Sequence, residues 1–408
     1  MITRHIEAHI QHLLRLFPCV VVTGVRQCGK TTLLGKLTPN WRHFDMESQA
    51  DREQVLANPD LFLRLYPEQL AIDEAQLAPP LFSALRVAID RERGAKGRFI
   101  LSGSSSPDLV RRISESLAGR VARAEMNPLT LAEAWHLPPS PLYGLIAHGA
   151  TQEEILAAAL PRLAAPQVHE YWLHGGYPEP WLSGDEEFRR LWHRNYIDTY
   201  LLRDIGALFP TLNRDRYRQF VSLLGHVSGS ILNNADIART LGVSEPTVRD
   251  WLHIAHDTYL WRHVPAWDRS AAKQLVKHPK GFLRDSGLLH RLLRIADADQ
   301  LATHPALGRS WEGLVVENLL RGFGNAGIEV HPYHYRTRGG AEIDLVLEGE
   351  FGLLPVEIKL TRQSDKRALR ALTEFVEMHG CPLGLVINND EKPRRLDERI
   401  LAIPAGAL

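Results

Sequence analysis

The chain has 408 residues, 44% hydrophobic and 24% charged, an ordinary globular composition with room for two to four domains. Its 48 basic and 48 acidic side chains cancel, which excludes nucleic-acid binding by global basicity while leaving local patches open. Three cysteines with no C-x-x-C pair argue against a disulfide scaffold, 19 histidines show no metal-finger spacing, and no 18-residue apolar run or apolar leader is present. The expectation is a soluble, cytoplasmic protein with reduced thiols and no membrane partner.

Apolar positions at Ile6, Ile10, Leu13, Leu14 and Phe17 predict an amphipathic helix over 5–17. A short apolar run, Cys19 to Thr23, follows, and then Gly24-Val-Arg-Gln-Cys-Gly-Lys30-Thr31-Thr32. Leu33, Leu34 and Leu37 continue at helical spacing, so the context is strand, glycine-rich turn, helix. That is the G-x-x-x-x-G-K-[ST] pattern of a P-loop. Gly24 and Gly29 free the backbone to turn its N–H groups toward phosphate oxygens, and the helix N-terminus adds a positive dipole end. Lys30 is expected to reach the β- and γ-phosphates of ATP, Thr31 to ligate Mg²⁺, and Thr32 to stand beside them at the phosphates. Cys28, inside the loop, reads as a small filler.

Trp41 to Asp45 reads as a second strand. Gln69-Leu-Ala-Ile-Asp73-Glu74 is an apolar run ending in two acids about 40 residues past the loop, where a following parallel strand would put them. Asp73 is expected at Mg²⁺ and Glu74 as the residue that polarises the attacking water. Arg98 to Ser105 is a third strand ending in hydroxyls. Strand C-termini converge on the ligand crevice of a parallel sheet, which makes Ser104 a candidate at the γ-phosphate or the lytic water, with Ser102 and Ser105 as neighbours. Residues 138–166, with Pro138-Pro-Ser-Pro141, read as a linker with a short helix. Residues 167–205 read as helices whose aromatics Tyr171, Trp172, Trp181, Trp192 and Tyr196 belong to a core.

From Asn234 to Leu252 the pattern is helix-turn-helix, with Ile237 and Leu241 in the first helix, Gly242 in the turn, Ser244 as cap, and Val248, Trp251 and Leu252 facing inward. Tyr259 to Val264 would begin a wing. Glu245, Thr247 and Arg249 could meet DNA, or the module could serve protein contacts, since Glu245 and Asp250 dilute the positive field that phosphate needs. Further on, a helix carries Glu312 and Glu317, Tyr333 to Arg336 reads as a strand, and two more strands carry Asp344 and then Glu357 with Lys359. Alternation points Glu357 and Lys359 to one side of their strand. Glu312 and Glu317 are about 140° apart on their helix, so one cannot replace the other. A helix over 365–379 and a strand over 384–388 close the chain.

The chain resembles the bacterial and archaeal AAA-type P-loop ATPases whose C-terminal domain of unknown function is similar to PD-(D/E)XK nucleases. The matching stretches are the P-loop, Ile72 to Gln76, Leu101 to Ser105, Leu117-Ala-Gly-Arg120, Pro128-Leu129, Gly175-Gly-Tyr-Pro-Glu179, Tyr196 to Ile205 and Phe282-Leu-Arg-Asp-Ser-Gly287-Leu. The resemblance implies an α/β fold with an ATPase core over 1–137, a linker and helical lid over 138–212, a winged-helix segment over 213–300 and a PD-(D/E)XK-like α/β domain over 301–408. It implies an ATPase that forms a homo-oligomeric, hexameric ring, with Arg120 reaching a neighbour's γ-phosphate and Arg203 as a second candidate. In the C-terminal domain, the signature Gly-x-x-x-Glu, Glu-x-Asp, Glu-x-Lys implies Glu312, Asp344 and Glu357 as ligands of a divalent cation. Lys359 would orient or deprotonate water there. The function implied is an ATP-driven motor that processes branched or broken DNA. The alternative is an ATP-dependent regulatory or defence switch that binds protein partners and does not cut.

Overall fold

The apolar run before the glycine-rich turn is strand β1 (Cys19–Gly24), buried along its whole length. Continuous burial means both faces of the sheet are covered, as expected for parallel strands. In this computed structural model the described residues are 2–104, 116–199, 205, 209, 212–268, 270, 278–337, 339–361 and 366–408. They pack as two compact units, Met1–Pro128 with Asp257–Tyr259, and Leu129–His256 with Leu260–Leu408. The expected divisions near 212 and 300 therefore fall inside the second unit.

The first unit is built on β1, β2 (Arg42–Asp45), β3 (Leu70–Asp73), β4 (Phe99–Ser104) and β5 (Val121–Met126), all parallel, in the order β2-β3-β4-β1-β5. The expected helix over 5–17 is Glu7–Leu16, and the P-loop helix is Lys30–Leu37. Val21, Ile72, Leu101, Phe82 and Leu85 meet in one apolar core. Burying such side chains contributes about 1.5–3 kcal/mol each. Parallel register puts Gly24 beside Ser104 and Ile72 beside Leu101, so Asp73 and Ser102 emerge next to the P-loop.

In the second unit, the stretch 138–166, read as a linker with a short helix, carries two helices, Leu142–Ala147 and Gln152–Ala158. The Ser140 hydroxyl donates to the Ala407 carbonyl at 2.8 Å and the Arg162 amide to the Gly406 carbonyl at 2.9 Å, so the stretch is tied to residues 406–407. Helices Ala165–His174, Pro178–Ser183 and Glu186–Tyr196 follow, with Tyr171, Trp172, Trp192 and Tyr196 buried. Two of the motifs quoted above meet here. The Gly176 amide donates to Asp285 Oδ2 at 2.8 Å, and Asp285 Oδ1 caps the helix Ser286–Leu292 by accepting from Leu288 N at 2.9 Å. A Cβ on Gly176 would strike the Leu129 carbonyl, and one on Gly287 the His174 carbonyl.

Helix Arg214–Val227, strand β6 (Ser230–Ile231), helix Asn234–Leu241, helix Glu245–Asp257, β7 (Trp261–Val264) and β8 (Lys280–Leu283) come next, with the antiparallel sheet order β6-β8-β7. Gly242 takes φ +64° between the two central helices, and Ser244 Oγ accepts from Thr247 N at 3.3 Å. Val248, Trp251 and Leu252 are buried while Glu245, Arg249 and Asp250 are exposed.

The last segment sets helix Leu307–Asn325, almost wholly buried, against a six-stranded mixed sheet in the order β13-β14-β12-β11-β10-β9. Its strands are β9 (His331–Arg336), β10 (Glu342–Gly349), β11 (Gly352–Ile358), β12 (Gly384–Asn388), β13 (Arg394–Asp397) and β14 (Ile400–Pro404). β9, β10 and β11 form an antiparallel meander, and β11 pairs parallel with β12. Helix Lys366–His379 covers the sheet, with Leu372, Phe375 and Val376 packed on Ile343, Val346 and Val386. β13 and β14 were not expected from the sequence.

Candidate functional site

The P-loop takes its shape from two left-handed residues, Gln27 (φ +62°) and Gly29 (φ +96°), ahead of the helix that starts at Lys30. Gly29 is the position where an L side chain would be strained. Gly24 is required for a different reason, because a Cβ there would overlap the Met126 carbonyl of β5. Buried Arg4 holds the loop from outside, donating to the carbonyls of Cys28 (2.8 Å) and Asn127 (2.7 Å). Cys28 is fully buried, as a filler would be.

Lys30 is 5% exposed and its ammonium donates to the carbonyls of Gly24 (3.1 Å) and Val25 (3.0 Å). A buried ammonium tied to its own loop is placed to exchange carbonyls for phosphate oxygens. The hydroxyls of Thr31 and Ser102 both donate to the Asp73 carboxylate, one to each oxygen. The Glu74 amide also donates to Asp73 Oδ1, at 3.1 Å. Burial raises the Asp73 carboxyl above its usual range, and the charges of Glu74 and Asp45 add to this against the Thr31 and Glu74 hydrogen bonds. A cation beside Asp73 would relieve that cost, so the donor set of Thr31 and Asp73 fits Mg²⁺. Glu74 stands at φ +50° and its carboxylate accepts from the Gln76 side-chain amide, which orients it.

Ser102, named at first only as a neighbour of Ser104, is the described hydroxyl of β4 that reaches Asp73. Ser104 ends β4, and its side chain lies outside the described part, as do Ser105 and Arg203. Thr32 is exposed on the helix's first turn. Arg120 makes a two-pronged ion pair with Asp90, both bonds 2.8 Å, and donates to the Ala118 carbonyl at 3.0 Å. That pairing holds the Asp90 carboxyl below its ordinary value.

A second cluster lies in the second unit. Glu312, Asp344, Glu357 and Lys359 come from three elements and meet. Lys359 Nζ lies 2.5 Å from Glu357 Oε1 and 3.9 Å from Asp344 Oδ2, and the Ile358 amide donates to the same Asp344 oxygen at 2.9 Å. Lys280, from β8, completes the group by donating to Glu312, with Asp344 Oδ1 and Glu342 Oε1 each at 4.0 Å. Burial, then the Asp344 charge, pushes Glu312 up to about 8 against the pull of Lys280. Burial alone would lower the Lys280 ammonium, but Glu312, Asp344 and Glu342 outweigh it and keep the proton on. Glu317, five residues along the helix, is elsewhere: Arg262, Arg284 and Arg321 surround it and draw its buried carboxyl down to about 2.

The donor set does not close around a divalent ion bridging Glu312, Asp344 and Glu357. Glu357 Oε2 is buried without a hydrogen-bond partner, which would suit a ligand. Glu312, however, is taken by Lys280, and among the described residues no three Asp, Glu, His or Cys side chains are grouped as a cation would need. The sequence held no signal for Lys280, whose partners lie 32 or more residues away.

A family model described as an AAA domain matches residues 17–135, and two domains of unknown function (DUF8612 and DUF4143) match 165–299 and 307–408. Among solved structures, the Walker-type ATPase paby2304 of Pyrococcus abyssi aligns with a TM-score of 0.43, 15% identity and coverage of 71% of this chain and 95% of that one. A RuvB of Thermotoga maritima aligns with a TM-score of 0.28, 15% identity and coverage of 67% and 95%. No helix among the described residues is long and apolar enough to cross a membrane. Uncharacterized proteins of Mycobacterium bovis and Mycobacterium tuberculosis are each 34% identical over 410 residues, 99% of this chain and 84% of theirs. The chain belongs to one family with these two mycobacterial proteins, and its N-terminal domain is an AAA-type P-loop ATPase domain.

Proposed function

We propose that the chain hydrolyses ATP in its first domain and uses the cycle to drive its C-terminal modules on DNA, as a motor that binds branched or broken duplexes. The observation that carries the ATPase reading is the convergence of Thr31 and Ser102 on Asp73 beside the tethered Lys30. Lys30 and the loop amides would bind the triphosphate, and Glu74, held by Gln76, would take the proton from the attacking water. Mg²⁺, held by Thr31 and Asp73, neutralises charge on the phosphates when bound. Arg120 is the finger candidate. In a homo-oligomeric ring, hexameric by the resemblance, it would leave Asp90 for a neighbour's nucleotide.

The order of helices and the β6-β8-β7 sheet supports reading 214–283 as a winged helix. Helix, antiparallel meander, helix and parallel strand support a nuclease-like core over 307–388. A second reading, a switch that binds protein partners, is favoured by the exposed Glu245 and Asp250 on the face of Glu245–Asp257 where a DNA reader needs cations.

The test is phosphate release by purified protein, alone and with linear, forked and four-way DNA, beside Lys30→Ala and Arg120→Ala. Stimulation by DNA that Lys30→Ala abolishes supports the motor. Hydrolysis indifferent to every DNA moves the partner-binding switch to first place. Unchanged hydrolysis in Lys30→Ala overturns the ATPase site itself. For Arg120, ATP binding kept with hydrolysis lost is expected, and full hydrolysis would remove it as the finger.

A further inference from the structure

We propose that Lys280 is the resident cation of the C-terminal carboxylate cluster, a fixed ammonium standing where the nuclease resemblance would place a divalent ion between Glu312 and Asp344. The inference rests on the nuclease-like reading of 307–388 and turns on where the positive charge in that site comes from.

Lys280 is 4% exposed, and it opens β8, a strand outside the segment that supplies the carboxylates. Its ammonium contacts Glu312 directly and faces Asp344 Oδ1 and Glu342 Oε1, each at 4.0 Å. The opposite oxygen of Asp344 faces Lys359 and the Ile358 amide. Asp344 is thus flanked by two ammoniums, one from each side. Buried carboxylates demand counter-charge, and removing one partner of such a group leaves a costly unpaired charge. Here the counter-charge for Glu312 is covalently attached to the chain. A divalent ion takes oxygen ligands at about 2.0–2.6 Å. One seated between Glu312 and Asp344 would have to displace the Lys280 ammonium or lie against it, like charge on like charge. Trp311, next to Glu312, donates to the Lys359 carbonyl at 3.1 Å and so ties the acid-bearing helix to the residue that follows β11. Glu312 and Asp344 are thus answered by the protein's own ammoniums, while Glu357 Oε2 stays buried without a hydrogen-bond partner. Metal-dependent cleavage of a phosphodiester at Glu312 and Asp344 is then not expected of this cluster.

The test uses the full-length, nucleotide-free protein titrated with Mn²⁺, with free Mn²⁺ read by electron paramagnetic resonance and thermal stability read in parallel. Wild type is expected to show no Mn²⁺ site that depends on Asp344. Lys280→Ala is expected to create one, at least about 10-fold tighter than anything in wild type, to gain thermal stability on adding Mn²⁺, and to lose both effects when Asp344→Asn is added. Lys280→Met keeps the stem volume and replaces the alanine variant if that does not fold; the wild-type arm decides independently. Mn²⁺ binding by wild type that Asp344→Asn abolishes overturns the inference while leaving the nuclease-like reading intact. A folded Lys280 variant that gains no Mn²⁺ binding overturns the inference, and with it the idea that the cluster is a cation site of nuclease type.

Discussion

Glu74 shows how far one residue's role can be taken from chemistry. Its position after Asp73 marked it as the water-polarising acid, and the structure adds Gln76, whose amide fixes the carboxylate. Glu74→Gln should lower kcat by about 10²–10⁴ while nucleotide binding persists, because a general base acts in the transition state and not in binding. Phosphate release and a fluorescent-nucleotide titration separate the two, and parallel loss of binding would assign Glu74 to the ground state. Gly24 carries a packing demand as well as a phosphate one. Gly24→Ala should destabilise the first unit by about 1–3 kcal/mol through overlap with the Met126 carbonyl. A melting temperature unchanged from wild type would contradict that.

At the scale of elements, two glycine-containing motifs far apart in sequence prove to be the two halves of one joint. Gly175 and Gly176 follow the helix Ala165–His174, Asp285 and Gly287 begin the helix Ser286–Leu292, and backbone passes against backbone. Gly176→Ala and Gly287→Ala should each destabilise the second unit by about 1–3 kcal/mol or more in urea unfolding, since the obstacle is a carbonyl and not a flexible side chain. Gly308→Ala is the control, with open space where its Cβ would go, and should be close to neutral. A Gly308→Ala variant as destabilised as the other two would count against close approach as the cause, because helix propensity by itself favours alanine over glycine. The stretch 138–166 shows the limit of composition. Proline and small residues read as a linker, yet Ser140 and Arg162 bond the final residues of the chain, contacts that no local window contains.

At the scale of the molecule, the buried network around Glu317 contributes a defined response to acid. Glu317 is pulled down to about 2 from an ordinary value of 4.5, with burial opposing and Arg262, Arg284 and Arg321 prevailing. A depressed folded-state value means its stabilisation is fully present above about pH 4.5 and is lost as pH falls toward about 2. The stability gap between wild type and Glu317→Gln should therefore be on the order of 3 kcal/mol near neutrality and narrow steadily through that window. Urea unfolding at several pH values reads it, and a gap that widened on acidification would contradict the network's sign.

The P-loop, the acidic pair after β3 and the periodicity of most helices and strands were legible in the sequence, because their physics is local: a turn needs glycine, a phosphate needs a lysine at fixed spacing, a buried parallel strand needs an apolar run. Glu357 and Lys359 were legible as a pair for the same reason, two residues apart at the end of β11. The tertiary structure alone decided that Ser102 reaches Asp73, that Arg262, Arg284 and Arg321 surround Glu317, and that Lys280 joins the carboxylates. Each of those depends on which strand lies beside which and on the charge that burial then requires. Sequence spacing does not encode that choice, and packing does.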